Sequence, residues 1–200
     1  MVGIIDYGVG NLFSLSSSFR KIGQDVFVSG DSAILAKADR LVLPGVGAFA
    51  DAIQKLQDSG LAEFIAQEAD SGKPILGICL GMQLMFETSY EYGVHKGLGL
   101  LKGEIVPMAD DLPEGLKVPH MGWNQLVFTQ KSRLFSGIQE GDNVYFVHSY
   151  FAQGEGITSV AEYGIPITAS VEKDNLFGCQ FHPEKSGTVG LKILEAFCNI

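Results

Sequence analysis

Pro74-Ile75-Leu76-Gly77-Ile78-Cys79-Leu80-Gly81-Met82-Gln83 is a short apolar run that stops at a cysteine bracketed by glycines and continues at helical spacing. The pattern predicts a buried strand, a tight turn with Cys79 at its apex, and a helix from about Leu80 to Phe86. Such a turn crowds the residues beside its apex, and Gly77 and Gly81 remove side chains where they would clash. At the start of a helix the sulfur meets free N–H groups and the positive end of the dipole, which favour thiolate over thiol. The N–H of Leu80, directly after Cys79, is placed to donate to an oxyanion. The competing reading makes Cys79 a small buried hydrophobe. A base elsewhere in the chain decides between them.

Working outward, the first half alternates strand and helix. Val2 to Ile5 is an apolar run closed by Asp6, and Gly8-Val9-Gly10-Asn11 leads into Leu12, Leu15, Phe19 and Ile22 at helical spacing. Asn11 reads equally as a helix cap or as a contact at the sheet end. The loop lacks the third glycine of a dinucleotide fingerprint. Strands are expected at Asp25–Val28 and Arg40–Leu43, and helices at Asp31–Ala38, Phe49–Gln57 and Leu61–Ala69. This alternation predicts a parallel sheet with helices on its faces. In such a sheet the site forms outside the carboxyl ends of the strands, so the loops after Ile5, Leu43 and Ile78 should converge near Cys79. Pro44-Gly45-Val46-Gly47 is either an ordinary tight connection or a loop whose N–H groups, Val46 among them, turn toward that site.

After about Gly97 the texture becomes strands: Leu98–Val106, Val118–Phe128, Asn143–Phe151, Thr158–Tyr163, Pro166–Val171 and Leu176–Phe181, with an exposed loop from Met108 to Pro119 and a last helix near the carboxyl end. The expectation is an α/β protein forming one domain over residues 1–200, with a mostly parallel central sheet and a strand-rich second half. A hydrophobic content of 46% in 200 residues supports one buried core. The net charge of -9 and scattered basic residues exclude a phosphate-tracking nucleic-acid surface. Cys79, Cys179 and Cys198 are odd in number and lack C-x-x-C spacing, so no disulfide framework and no metal site is expected. With no basic leader and no apolar run of membrane-spanning length, a soluble cytoplasmic protein is expected.

The base comes from Leu176-Phe177-Gly178-Cys179-Gln180-Phe181-His182-Pro183-Glu184. Phe177, Cys179 and Phe181 share one face of an extended segment, and Gln180 and His182 the other. Pro183 holds His182 extended, so His182 and Glu184 project to one side, where the carboxylate can accept a ring N–H. Read alone this is a surface turn. Beside Cys79 it supplies the oriented base of a nucleophile, base and acid set for acyl transfer. His95 is expected in a solvated polar loop, His120 and His148 as structural residues, and Cys198 in the core.

Gly77-Ile78-Cys79-Leu80-Gly81-Met82-Gln83 together with Phe181-His182-Pro183-Glu184 resembles the triad-type, class I glutamine amidotransferases, whose fold is flavodoxin-like. Asp6-Tyr7-Gly8-Val9-Gly10-Asn11, Pro44-Gly45-Val46-Gly47-Ala48-Phe49, Pro119-His120-Met121-Gly122-Trp123-Asn124, Tyr145-Phe146-Val147-His148-Ser149-Tyr150 and Lys185-Ser186 narrow the likeness to the glutaminase subunits of imidazole glycerol phosphate synthases. The resemblance implies glutamine hydrolysis by Cys79, His182 and Glu184, with Leu80 and Val46 as oxyanion donors. Glutamine would bind near Gly47, Gln83, Glu91 and the backbone of His148, Ser149 and Tyr150. Ammonia would pass to a (β/α)8-barrel cyclase subunit, in a heterodimer that makes imidazole glycerol phosphate and AICAR in histidine biosynthesis. Asn11, Trp123 and Lys185 become interface candidates, although Trp123 reads nearly as well as a core aromatic. No cofactor is implied. The competing identities are the glutaminase subunit of pyridoxal phosphate synthase, against which the Pro119–Asn124 motif speaks, and a catalytically silent binding module, against which the intact triad speaks.

Overall fold

The computed structural model describes all of residues 1–200. Four strands, β1 (Val2–Ile5), β2 (Val26–Ser29), β3 (Arg40–Leu43) and β4 (Ile75–Ile78), alternate with the helices α1 (Leu12–Lys21), α2 (Ser32–Leu35), α3 (Phe49–Asp58) and α4 (Leu61–Asp70). A five-residue helix, α5 (Leu80–Leu84), follows β4. It is succeeded by the strands β5 (Phe86–Ser89), β6 (His95–Lys96), β7 (Leu101–Pro107), β8 (His120–Gln125), β9 (Val127–Phe128), β10 (Asn143–His148), β11 (Tyr150–Gly154), β12 (Ile157–Glu162), β13 (Pro166–Lys173) and β14 (Leu176–Cys179). The chain closes with α6 (Gly187–Cys198).

Eight strands form the central sheet in the order β2-β1-β3-β4-β14-β13-β12-β9. The pairings from β2 through β14 are parallel, and those from β14 to β9 antiparallel. The parallel strands are apolar on both faces because both are covered. Ile5, Leu41, Leu43 and Ile75 point into a cluster with α3, α4 and α5, whereas Val2, Ile4, Val42, Leu76 and Ile78 meet α1 and α6 on the other side. Phe177 of β14 packs edge-on against Phe197 of α6, with both rings fully buried. The small sheet β11-β7-β5-β6 lies against the first cluster through Leu101, Ile105 and Ala152. The β10–β8 ribbon joins the second through Val144 and Phe146.

Five expectations need correction. The helix after Cys79 ends at Leu84 rather than Phe86, because Phe86 starts β5, which pairs in parallel with β7. Strand β7 begins at Leu101, not Leu98, since the N–H groups of Leu98, Gly99 and Leu100 are taken by the carbonyls of Leu84, Phe86 and Met85. Asn143–Phe151 is two strands that change partner at Ser149, β10 pairing with β8 and β11 with β7. Val118–Phe128 also divides, at Leu126, whose side chain is fully buried and whose N–H bonds Asp142 O. His95 is not in a solvated loop: it sits half-buried in β6, its ring 6.5 Å from Phe49.

Candidate active site

Register brings the candidate residues together. Strands β1, β3 and β4 lie side by side, so the loops after Ile5, Leu43 and Ile78 meet at one edge. On the far side of β4, Cys179 pairs with Ile78, and the Cys79 N–H extends the ladder to Cys179 O at 2.7 Å. His182 follows three residues later, past the end of β14. Cys79 has φ 53 and ψ -113, left-handed backbone that a side-chain-bearing residue adopts only when its surroundings hold it there. The glycines allow this turn. A Cβ on Gly77 would fall 2.6 Å from Met82 Cα, and one on Gly81 would fall 1.9 Å from Leu43 O. Only hydrogen fits at either place.

His182 is buried, and its Nδ1 lies 2.8 Å from Glu184 Oε1. A carboxylate accepts, so Nδ1 carries the proton and Nε2 is left for Cys79. Burial by itself pushes the imidazole down. Hydrogen bonds to Cys79 and Glu184, with the charges of both, outweigh it and lift His182 to about 9. Glu184 Oε2 is buried and meets no partner in the protein. A space of ≈ 10 Å³ lined in part by Glu184, Asn11 and Pro44 adjoins the pair, about the room one water needs.

A cleft of ≈ 340 Å³ opens over Cys79 and His182. Its wall includes Val46, Gly47, Leu80, Gln83, Glu91, His148, Ser149 and Tyr150, every residue that the family likeness assigned to glutamine or to the oxyanion. Leu80 opens α5, so its N–H has no partner within the helix. The N–H groups of Gly45, Val46 and Gly47 make no hydrogen bond inside the protein, and Gly47 has φ +91. The loop is held at its two ends instead. The Tyr7 hydroxyl donates to Pro44 O at 2.7 Å, and Glu91 Oε2 accepts the Phe49 N–H at 2.6 Å. Desolvation raises the Glu91 carboxyl, opposed by that N–H and by His95. Gln83 is buried rather than exposed, its amide donating to Tyr150 O at 3.0 Å and Gln180 Oε1 at 2.8 Å.

The remaining histidines form a buried pair. His148 Nδ1 lies 2.8 Å from Tyr150 O, and its Nε2 lies 3.0 Å from His120 Nδ1. The carbonyl only accepts, so the donors run from His120 through His148 to Tyr150. Burial drives His148 down to about 3, against the Tyr150 carbonyl, which favours the charged ring. Cys179 is fully buried and Cys198 nearly so, as expected of core thiols. Burial raises Cys198 to about 11.

Asn11 is exposed and caps α1, its Oδ1 accepting the Ser14 N–H at 3.3 Å. Trp123 is 58% exposed, which excludes the core reading, and lies edge-on to Tyr145 at 6.0 Å. Lys185 Nζ is 5.9 Å from the same Tyr145 ring. Asn11 and Lys185 sit on the segments that follow β1 and β14, beside the elbow. The sequence reading passed over Tyr7 as a loop anchor, Tyr92 on the cleft rim, and Gln180. For Gln180 a signal existed: a polar residue between Cys179 and Phe181 in an apolar strand asks for a buried partner.

The glutamine amidotransferase class-I family model matches residues 3–199. Among curated relatives, the imidazole glycerol phosphate synthase subunit HisH of Bacillus velezensis is 54% identical over 98% of this chain and 95% of its own. The same subunit from Wolinella succinogenes is 48% identical over the whole of both chains. Among solved structures, one described as a glutamine amidotransferase superposes with TM-score 0.76 at 17% identity, covering 99% of this chain and 97% of its own. PurLQS from Thermotoga maritima gives 0.72 at 20%, with the same coverage. At those identities the structures speak for the fold alone. The chain belongs to the class-I glutamine amidotransferases and, within them, to the HisH subunits of imidazole glycerol phosphate synthase.

Proposed function

We propose that this chain is the glutaminase subunit of an imidazole glycerol phosphate synthase, hydrolysing the side-chain amide of L-glutamine to glutamate and ammonia. The observation that carries the reading is the joint one of Cys79 at a strained elbow and a buried His182 that Glu184 orients, both lining one cleft sized for a small ligand. The Cys79 thiolate attacks the amide carbon. A C–S bond forms and the carbonyl electrons move to oxygen, where the N–H groups of Leu80 and Val46 are the candidate donors. His182 passes a proton to the departing nitrogen, the C–N bond breaks, and ammonia leaves a thioester. The imidazole then takes a proton from water, whose oxygen displaces the sulfur and yields glutamate. Glu184 accepts the hydrogen bond from His182 Nδ1–H throughout, fixing the tautomer.

Recognition of glutamine falls to the cleft wall. Glu91 is the one carboxylate lining it and suits an α-ammonium group. Gly47 and the backbone of His148, Ser149 and Tyr150 offer polar groups without bulk. The ammonia would go to a (β/α)8-barrel cyclase subunit docked over Asn11, Trp123 and Lys185, all three of them exposed. No helix is long and apolar enough to cross a membrane.

The test is labelling by a chloroketone analogue of glutamine, read peptide by peptide by mass spectrometry. Alkylation confined to Cys79, slowed by glutamine and accompanied by loss of ammonia release, is expected. Labelling that leaves ammonia release intact would overturn the reading.

A further inference from the structure

Gln180 lies one residue past β14, on the strand that the Cys79 N–H extends, and is fully buried. Nothing in the family motif gives it a role here. Its amide nitrogen is 3.8 Å from Cys79 Sγ, and its amide oxygen 2.8 Å from Gln83 Nε2. The orientation of such an amide has to follow from its partners, because oxygen and nitrogen are nearly alike in shape.

Here the partners settle it. Tyr150 O is a carbonyl and can only accept, and it lies 3.0 Å from the Gln83 amide, so the group facing it is the Gln83 NH2. That NH2 spends its other hydrogen on Gln180, so the Gln180 atom facing it is oxygen. The Gln180 NH2 is therefore turned to the sulfur. Turning either amide over would set donor against donor, or acceptor against acceptor, between two buried side chains, where an unpaired polar group is costly.

We propose that Gln180 is a further catalytic residue, which donates an N–H to the Cys79 sulfur and holds it as thiolate, with Gln83 and the Tyr150 carbonyl as the positioning groups behind it. The proposal rests on Cys79 being the nucleophile. A charged sulfur inside the protein needs donors, since burial alone disfavours charge. The His182 ring is one, but it must give its proton away to the leaving nitrogen. An amide cannot lose its proton, so Gln180 keeps a donor on the sulfur when His182 has given its own up. The charged and titratable groups facing Cys79 are His182, Tyr7 on the loop after β1, and Glu184 behind His182; His148 of β10 shares the cleft.

The test is iodoacetamide alkylation of Cys79 in the full chain as a function of pH, resolved by peptide so that Cys179 and Cys198 do not contribute. It needs no glutamine turnover, so its result stands apart from that of the glutaminase reading. Gln180→Met keeps length without a donor, and Gln180→Glu keeps the acceptor toward Gln83 while facing the sulfur with oxygen. A hydrogen bond to a charged group corresponds to roughly one to two pH units. Both variants should move the alkylation profile of Cys79 upward by that amount, with about tenfold slower labelling at pH 7 restored at high pH. A profile superimposable on the parental one in either folded variant would overturn the proposal. Should both variants fail to fold, the unsubstituted protein decides: the Gln180 side-chain amide proton should shift in the NMR spectrum when Cys79 is alkylated, and an unmoved resonance would count against the contact.

Discussion

Replacing Gly45 by Ala puts a methyl group into the place where the oxyanion loop meets the elbow. The added Cβ would lie 2.6 Å from Gly81 N, 2.9 Å from Leu80 Cβ and 3.0 Å from the Leu80 carbonyl carbon. Ordinary contact begins at 3.4 Å, so the loop and the first turn of α5 must separate by up to about 0.8 Å. Two of these three atoms are backbone, and the segments that must part carry both candidate oxyanion donors, Leu80 N–H and Val46 N–H. Losing one such donor costs about 10² to 10³ in rate, and a displacement near 1 Å about 10². Overpacking adds a stability loss of about 1–3 kcal/mol. Gly45→Ala should therefore lower kcat about 10²-fold or more, with KM little changed, because the donors act on charge that develops only in the transition state. Gly137→Ala is the control, since its Cβ would meet Lys192 at an ordinary 3.4 Å. The assay is steady-state ammonia release with the cyclase saturating, alongside thermal melts. Parental kcat in a folded Gly45→Ala protein would refute the reasoning, and a raised KM at unchanged kcat would move the loop from charge stabilisation to substrate binding.

The His182 imidazole, raised to about 9, should stay protonated at neutral pH in the free protein, as its ring-proton NMR titration would show; Glu184→Gln removes one of the raising partners and should bring that midpoint down. Because the folded value exceeds the ordinary 6.5, the stability His182 contributes is fully present below about pH 6.5 and is lost as pH rises toward about 9; denaturant midpoints flat across that window would contradict it. His148 acts in the opposite sense: held down to about 3, it contributes stability above pH 6.5 that is lost as pH falls toward 3, a decline His148→Asn should flatten. The chain alone should be a poor glutaminase whose turnover rises strongly with the cyclase and its nucleotide ligand, since a loop pinned only at Pro44 and Phe49 leaves the Val46 peptide to be set by whichever orientation the partner binds more tightly. Equal ammonia release in all three conditions would reject that coupling and leave the triad untouched.

The parallel half of the sheet was legible because β1, β3 and β4 are short apolar runs that end at glycine-bearing turns and lead into helices. Position along one sheet edge then brought Cys79 and His182 together without any further signal. The second half was less so. Ser149 looks like an ordinary strand residue, yet the chain changes partner there, and strand pairing is a non-local choice that alternation cannot record. Phe86–Ser89 and His95–Lys96 were missed as strands because both are short and draw their hydrogen bonds from elsewhere in the chain, β5 from β7 and β6 from β5. At the site, residues with chemical side chains and fixed spacing, Cys79, His182 and Glu184, could be read directly. The roles of Tyr7 and Gln180 come from partners 37 and 101 residues away, so the polar position of Gln180 in an apolar strand signals a buried partner without naming it.

Cys79→Ala in the complex with the cyclase bears most directly on the glutaminase function. Ammonia release from glutamine should disappear, while synthesis driven by added ammonium salt, which needs no thiol, should continue at the parental rate, and Cys179→Ala and Cys198→Ala should keep both activities when folded. Undiminished ammonia release from glutamine in Cys79→Ala would contradict the assignment of Cys79 as the nucleophile.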